Sequence, residues 1–304
     1  MRKTKLSAIL GAGILASLVL TGCAEGAPPA AGGGGEEGTT TGEAPVFEVA
    51  TDVAIEGSPT FDKITAAGGK VVVGVKEDQP NLGYLDAVTG ERTGFDVDVA
   101  RWMAASLGVS EENIEFKAIP SANREQAIIN GDIDYYVGTY SITDKRKDQI
   151  DFAGPYFETG QGLLVGADSE ITGVDDLSAE TNVCSATGST PIQNIREKYP
   201  EVKTTEFEKY SECVEALING QVDAITTDEA ILIGYAAQNP EALKVVGEPF
   251  STELYGIGLA KGDDALRDHF NTTLEEGGDV WQSIFDYNLG SSGTTVSQPA
   301  PDRY

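Results

Sequence analysis

The chain reads as an α/β protein built from two similar halves, and three observations carry that reading. Short apolar runs alternate with helix-length ones: Lys70 to Val75, a helix after Gly94, Ile114 to Ile119, then a helix from about Ala122 to Asn130. That β-α-β-α order predicts a parallel sheet with right-handed crossovers. The order recurs downstream, with strands over Thr181 to Ala186 and Lys203 to Phe207 and a helix over Glu212 to Asn219. Finally, Ile128-Ile129-Asn130-Gly131-Asp132-Ile133-Asp134 and Leu217-Ile218-Asn219-Gly220-Gln221-Val222-Asp223 align at a constant offset of 89, which also pairs Thr139 with Asp228. Two lobes of like architecture would each present one polar residue from the same strand end. The alternative is a chance match, because Asn-Gly is a common helix stop.

Taken in order, Phe61 to Ala67 is a short helix closed by Gly68-Gly69, and the valine run to Val75 is a strand that delivers Lys76, Glu77, Asp78, Gln79 and Pro80 into a loop. After a turn at Thr89-Gly90, Val99, Trp102, Met103 and Leu107 have helical spacing, and Gly108 stops the helix. Trp102 and Trp281 are assigned to core. Ile133 to Val137 is a β-rich, buried strand. Thr139, Ser141 and Thr143 follow it, and Asp144-Lys145-Arg146 opens a helix. Hydroxyls, amides and a guanidinium thus gather at a strand's carboxyl end, where α/β sheets bind ligands. Tyr156 to Val165 and Glu248 to Leu259 are extended, Gly-containing segments that read as hinge strands. Helices over Ala265 to Glu276 and Val280 to Tyr287 would complete the first lobe. The expected division is lobe 1 over 58–160 plus 250–289 and lobe 2 over 161–249.

The ends are of different character. Residues 1–22 open on basic Arg2, Lys3 and Lys5 and continue through an apolar run from Leu6 to Leu20, the pattern of a secretory signal peptide. The run is short for a membrane span. Leu20-Thr21-Gly22-Cys23 resembles the lipobox of bacterial lipoproteins, which implies lipid on Cys23; an ordinary leader before a chance cysteine is the alternative. Residues 23–57 are expected to be a flexible tether, since Ala24 to Pro45 is almost wholly Gly, Ala, Pro, Thr and Glu. Residues 290–304 are expected to be a disordered tail.

The formal charge of −28 argues against nucleic acid as a partner. Removing the three leader cations leaves 18 Lys and Arg against 49 Asp and Glu, about −31. Any cluster of cations in such a chain needs a purpose. With Cys23 assigned to lipid, Cys184 and Cys213 are an exported pair and are expected to be bonded, closing a loop of about 30 residues worth roughly 3.5 kcal/mol. Two free thiols are the alternative. His269 has no ligand-spaced neighbour, so neither a metal nor a cofactor is expected.

The sequence contains no G-x-S-x-G, P-loop, H-E-x-x-H or C-x-x-C motif. What remains is a set of polar groups at strand ends: Lys76, Arg124, Thr139, Ser141, Arg146, Ser189, Thr190 and Asp228. The set suits a small zwitterion. Arg146 can hold a carboxylate bidentately, helped by hydroxyls and helix N-terminal amides, while Asp228 can receive an ammonium.

Four stretches, GFDVDVAR at 94–101, NGDIDYYVGTYSITDKRKDQIDFAGPY at 130–156, ATGST at 186–190 and DAITTDEAIL at 223–232, closely resemble the extracellular solute-binding proteins of polar amino-acid ABC importers, family 3. The resemblance implies a type II periplasmic-binding-protein fold, a Venus flytrap of two mixed or parallel sheets joined by two hinge strands. It implies that Arg146 binds the ligand α-carboxylate with help from Thr190, and that Asp228 and Thr139 hold the α-ammonium. The pattern GVKEDQPNLG at 74–83 and Arg124 look like the glutamate/aspartate branch, in which Lys76 and Arg124 would meet a side-chain carboxylate assisted by Tyr210. Structural alternatives stay open: an N-cap for Asp228, solvated cations for Lys76, Arg124 and Arg146, and simple packing for Tyr210. The expected function is a non-enzymatic, monomeric receptor, lipid-anchored at the outer face of the cell membrane, that hands glutamate to a permease. Aspartate, glutamine and asparagine are further candidate ligands. A cyclohexadienyl-dehydratase-like enzyme and a ligand sensor are the rival classes.

Overall fold

The computed structural model describes residues 43–294 and 296–304. The leader and Cys23 lie outside the described residues.

In chain order the first half contributes α1 (Pro59–Ala66), β1 (Val71–Val75), β2 (Asp78–Gln79), β3 (Gly83–Leu85), β4 (Arg92–Thr93), α2 (Phe95–Ser106), β5 (Ile114–Ala118), α3 (Arg124–Ile129), β6 (Tyr135–Tyr136), α4 (Asp144–Lys147) and β7 (Asp151–Thr159). The second contributes β8 (Gln161–Gly166), β9 (Asn182–Ala186), α5 (Thr190–Lys198), β10 (Lys203–Phe207), α6 (Tyr210–Ile218), β11 (Ala224–Asp228), α7 (Glu229–Gln238) and β12 (Leu243–Val246). The chain ends with β13 (Glu253–Leu259), α8 (Asp264–Glu276) and α9 (Gly278–Asn288).

Two five-stranded sheets result, ordered β5-β1-β6-β13-β7 and β10-β9-β11-β8-β12. In each sheet three neighbouring strands run parallel, and two further strands complete it, each antiparallel to the strand before it in the order. The chain passes between sheets at β7–β8 and again at β12–β13, so β13, α8 and α9 return to the first lobe. A Cβ on Gly160, where β7 gives way to β8, would lie 2.5 Å from the Ser251 carbonyl oxygen. The two crossing segments therefore run in close contact.

The first lobe's core is aromatic. Phe95 meets Tyr156, Phe157, Trp281 and Phe285, and the Trp281 indole donates to the Tyr156 carbonyl at 2.7 Å. Trp102 and Trp281 are both buried.

Cys184 on β9 and Cys213 on α6 form a disulfide with Cα atoms 5.7 Å apart. The bond ties the strand before the Ser189 turn to the helix that Tyr210 starts. Replacing both cysteines by serine should cost about 3.5 kcal/mol on the chain-entropy estimate, lowering Tm by roughly 10 °C for a domain of this size. A change under about 2 °C in a thermal melt would contradict that account.

Several elements differ from expectation for physical reasons. The strand expected over Ile133 to Val137 pairs as a strand only at Tyr135–Tyr136. Beside it, the Asp134 carboxylate accepts the Val72 N–H at 2.7 Å, replacing a backbone partner. The chain then turns at Thr139, which has φ +46°. Helix α7 escapes periodicity because its sequence, EAILIGYAAQ, is apolar on nearly every face.

Both supposedly loose ends dock on the first lobe. Within the expected tether, the Ala50 N–H donates to the Ala105 carbonyl at 2.9 Å, Phe47 and Val53 pack on the core, and Ile55 is buried. At the other end Arg303 pairs with Glu275 and Asp268 on α8. The Tyr304 hydroxyl accepts the Phe152 N–H at 2.9 Å, and the ring lies under Lys147 and Arg267. Composition suggested disorder here, but a few aromatic and charged residues find partners far away in sequence.

Candidate functional site

The parallel strands of both sheets point their carboxyl ends at one cleft. From the first lobe, β1 delivers Lys76, β5 leads to Ser121 and Arg124, and β6 leads to Thr139, Ser141 and, through α4, Arg146. From the second, β9 leads to Ser189 and Thr190, β10 to Tyr210, and β11 ends on Asp228. The pair at offset 89 accordingly comes from opposite lobes.

A small cavity of about 10 Å³, room for about one water molecule, lies between them, lined by Arg124, Thr139, Ser141, Ser189, Thr190, Tyr210 and Asp228, together with Ser121, Pro191 and Ile231. Lys76 and Arg146 border this space rather than line it. The Lys76 ammonium donates to Ser121 Oγ at 2.7 Å, and Arg146 Nη1 donates to the Ser141 carbonyl at 2.6 Å.

Three cations, Lys76, Arg124 and Arg146, are at most 5 % exposed here, in a chain that carries −28 overall. Their positions are fixed. Arg124 donates to the carbonyls of Ser121 and Thr139 at 3.1 and 3.3 Å and stacks on the Tyr140 ring at 4.1 Å. Arg146 shares that ring at 4.9 Å, pairs with Glu125 at 3.2 Å, and reaches across to the Gly188 carbonyl of the other lobe at 3.3 Å. Thr143 caps α4, its hydroxyl accepting the Arg146 N–H at 3.3 Å.

Crowding like charges away from water has a cost. Burial first, then the neighbouring Arg124, bring the Lys76 ammonium down from 10.5 to about 7, against the opposing pull of Asp78. Burial and then Arg124 also lower Arg146.

Asp228 stands at the N-cap position of α7, but its side chain makes no capping bond. One carboxylate oxygen accepts the Tyr255 hydroxyl at 2.6 Å; the other is buried without a hydrogen-bond partner. Burial, with the Glu253 charge adding to it, raises this carboxyl from 3.8 to about 7, against Tyr255, Arg146 and Arg124. A buried carboxylate with one free oxygen is placed to accept a charged donor. Capping therefore does not account for Asp228.

Thr139 is held in its left-handed conformation by Asp96, whose carboxylate accepts the Thr139 N–H at 2.9 Å and the Tyr156 hydroxyl at 2.7 Å. Its own hydroxyl donates to Gln79 Oε1 at 3.2 Å. A non-glycine residue in this region stores about 1–3 kcal/mol, a cost met mainly at functional sites. In the opposite lobe Ser185 Oγ lies 3.2 Å from Ser189 Oγ and donates to the Thr226 carbonyl at 2.7 Å. Tyr210 is buried in the cavity wall, and burial raises its hydroxyl pKa.

Sequence reasoning passed over Tyr140, Ser121, Asp96 and Glu125. Tyr140 and Ser121 sit beside residues that were singled out, so proximity was their available signal; Asp96 and Glu125 act on partners far along the chain. Among the described residues, no group of three or more His, Cys, Asp or Glu is placed to hold a metal.

Fold and site together define a two-lobed α/β protein built to enclose a small, charged solute at the waist between its sheets. Residues 71–278 match the bacterial extracellular solute-binding proteins, family 3, and the chain belongs to that family. It is 37 % identical to the glutamate-binding protein GluB of Corynebacterium efficiens over 98 % of this chain and 95 % of that one. It is 44 % identical to the glutamine-binding protein GlnH of Bacillus subtilis over 68 % of this chain and 76 % of that protein. A solved ancestral arginine-binding protein bound to arginine superposes with a TM-score of 0.68 at 36 % identity, covering 73 % of this chain and 99 % of the other.

Proposed function

We propose that the protein is the extracytoplasmic receptor of an ABC importer and captures glutamate by closing its lobes over it. The observation that carries the reading is one small cavity, lined by Arg124 and bordered by Lys76 and Arg146 from the first lobe, that also holds a buried, half-partnered carboxylate, Asp228, from the second. In this reading Arg146 takes the α-carboxylate with Ser141, Ser189 and Thr190 beside it. Asp228 and Thr139 take the α-ammonium, and Lys76 and Arg124, with Tyr210, take the side-chain carboxylate. Because Arg146 and Asp228 sit on different lobes, a zwitterion touching both favours the closed state. The near full-length likeness to a glutamate-binding protein supports the substrate; the glutamine-binding relative makes glutamine its main competitor. Lipid on Cys23 would hold the receptor, as a monomer, at the outer face of the cell membrane beside its permease.

Calorimetric titration with glutamate, aspartate, glutamine and prephenate tests this. Glutamate should bind with micromolar affinity, about −8 kcal/mol. Strong heat from glutamine and none from glutamate would remove the substrate assignment, and turnover of prephenate would return the protein to the enzymes.

The titrations of Lys76 and Asp228 predict a bell-shaped pH profile for glutamate. Below about pH 7 Asp228 protonates and loses its attraction for the ammonium, so affinity falls as pH falls. Above about pH 7 Lys76, facing Arg124, Arg146, Asp78 and Asp96, loses its charge, so affinity for a side-chain carboxylate falls as pH rises. For glutamine the alkaline limb should be nearly flat. Identical profiles for the two ligands would detach Lys76 from the side chain.

A further inference from the structure

The loop after β1 contains more than Lys76. Glu77, Asp78, Gln79 and Pro80 follow it, and this stretch of the first lobe meets the second on α6 and α7. Asp78 Oδ2 accepts the Ser211 N–H, in the first turn of α6, at 3.1 Å. The Tyr235 hydroxyl on α7 lies 2.6 Å from the Asp78 carbonyl and 3.1 Å from its carboxylate. Lys209 pairs with Glu77 at 2.6 Å. One turn of backbone completes the contact: an ideal Cβ on Gly234 would stand 2.7 Å from the Pro80 carbonyl oxygen, and its three nearest atoms all belong to Pro80.

Gly234 is the informative residue. It lies inside α7 with ordinary helical backbone, where glycine is less favourable than alanine and no positive φ calls for it. Within the second lobe, then, alanine would be the better choice. The close neighbours are across the cleft, in backbone that cannot rotate aside. None of Asp78, Pro80, Gly234 and Tyr235 lines the cavity.

We propose that Asp78, Pro80, Gly234 and Tyr235 are positioning residues: they form an interlobe contact outside the cavity that sets how far the lobes close, and so fix affinity without choosing the ligand. The inference rests on capture by lobe closure as proposed above. Tyr235 and Asp78 contribute a hydrogen bond and a charge-assisted contact to a helix N-terminus, both made only when the lobes meet. Glu77–Lys209 is more exposed and contributes less. Gly234 lets the backbones come close enough for these bonds to form.

The test is Gly234→Ala, with Tyr235→Phe as a variant that keeps the aromatic packing and removes the hydroxyl. Both are made in the full chain and titrated with glutamate and with glutamine. For Gly234→Ala the expected result is a loss of at least tenfold, by the same factor for both ligands and mainly through faster dissociation. The ligand-free Tm should be unchanged or higher, and small-angle scattering at saturating glutamate should give a larger radius of gyration than wild type. Tyr235→Phe should show a smaller loss of the same uniform kind. Unchanged affinity in both variants, a loss confined to one ligand, or a lowered ligand-free Tm in Gly234→Ala would overturn the proposal. A wild-type chain that binds none of the amino acids would instead sink the receptor reading, so the two failures are distinguishable.

Discussion

Replacing Arg146 by alanine is expected to abolish binding of every amino acid, with a loss of a hundredfold or more. The guanidinium is almost wholly buried, anchored by the Ser141 and Gly188 carbonyls, Glu125 and the Tyr140 ring, so it is presented in one orientation. Two charge-assisted bonds to a carboxylate are worth about 1.5–3 kcal/mol each, and every α-amino acid offers that carboxylate. Lysine in its place would keep the charge and lose the fork, so Arg146→Lys should recover only part of the affinity. Equal loss for glutamate, aspartate and glutamine is the signature. An alanine variant that still bound glutamate within tenfold of wild type would remove Arg146 from the α-carboxylate.

The second large effect concerns the side chain of the ligand. Lys76→Met should weaken glutamate by about 10- to 100-fold, the equivalent of one charged hydrogen bond, while glutamine changes by less than about threefold. The same substitution should raise ligand-free stability. A lysine brought down to about 7 in the folded chain and near 10.5 unfolded binds more protons when unfolded, so its burial opposes folding at neutral pH. That opposition fades as pH rises from about 7 toward 10.5. Methionine removes it, along with the repulsion toward Arg124. Melting wild type and variant at pH 7 and pH 9 should therefore give a gap that narrows at the higher pH; a variant less stable than wild type at both would contradict the argument.

The architecture was readable in the sequence wherever local pattern and tertiary burial agree. The valine run into Lys76 is a strand because β1 is buried on both faces, and the helix after Gly94 is legible because Val99, Trp102 and Met103 keep helical spacing between polar Asp96, Asp98 and Arg101, although nearly all of α2 is buried. Where a helix is apolar on nearly every face, periodicity vanishes even though only half of its residues are buried, which hid α7, and with it Gly234. The ends misled for the opposite reason. Low-complexity composition around 43–57 and 290–304 gives no periodic signal, yet Ala50, Ile55, Arg303 and Tyr304 are held by partners brought near only by the fold.

The candidate site divides in the same way. Arg146, Asp228 and the hydroxyl run announce themselves because polar residues at strand ends have no role in the core. Asp96 could not be read, since its contact with Thr139 spans 43 positions. Tyr140 looked like one more aromatic, and only the structure places two guanidinium groups on its ring. Lys76 was readable as a cation that faces the ligand, but its bond to Ser121, 45 positions away, was not.

A crystal structure of the chain grown with glutamate tests the central claim most directly. The account predicts the α-carboxylate on Arg146, the ammonium on the free oxygen of Asp228, and the side-chain carboxylate within reach of Lys76 and Arg124. A ligand bound with its side chain on Arg146, or seated away from Asp228, would contradict it.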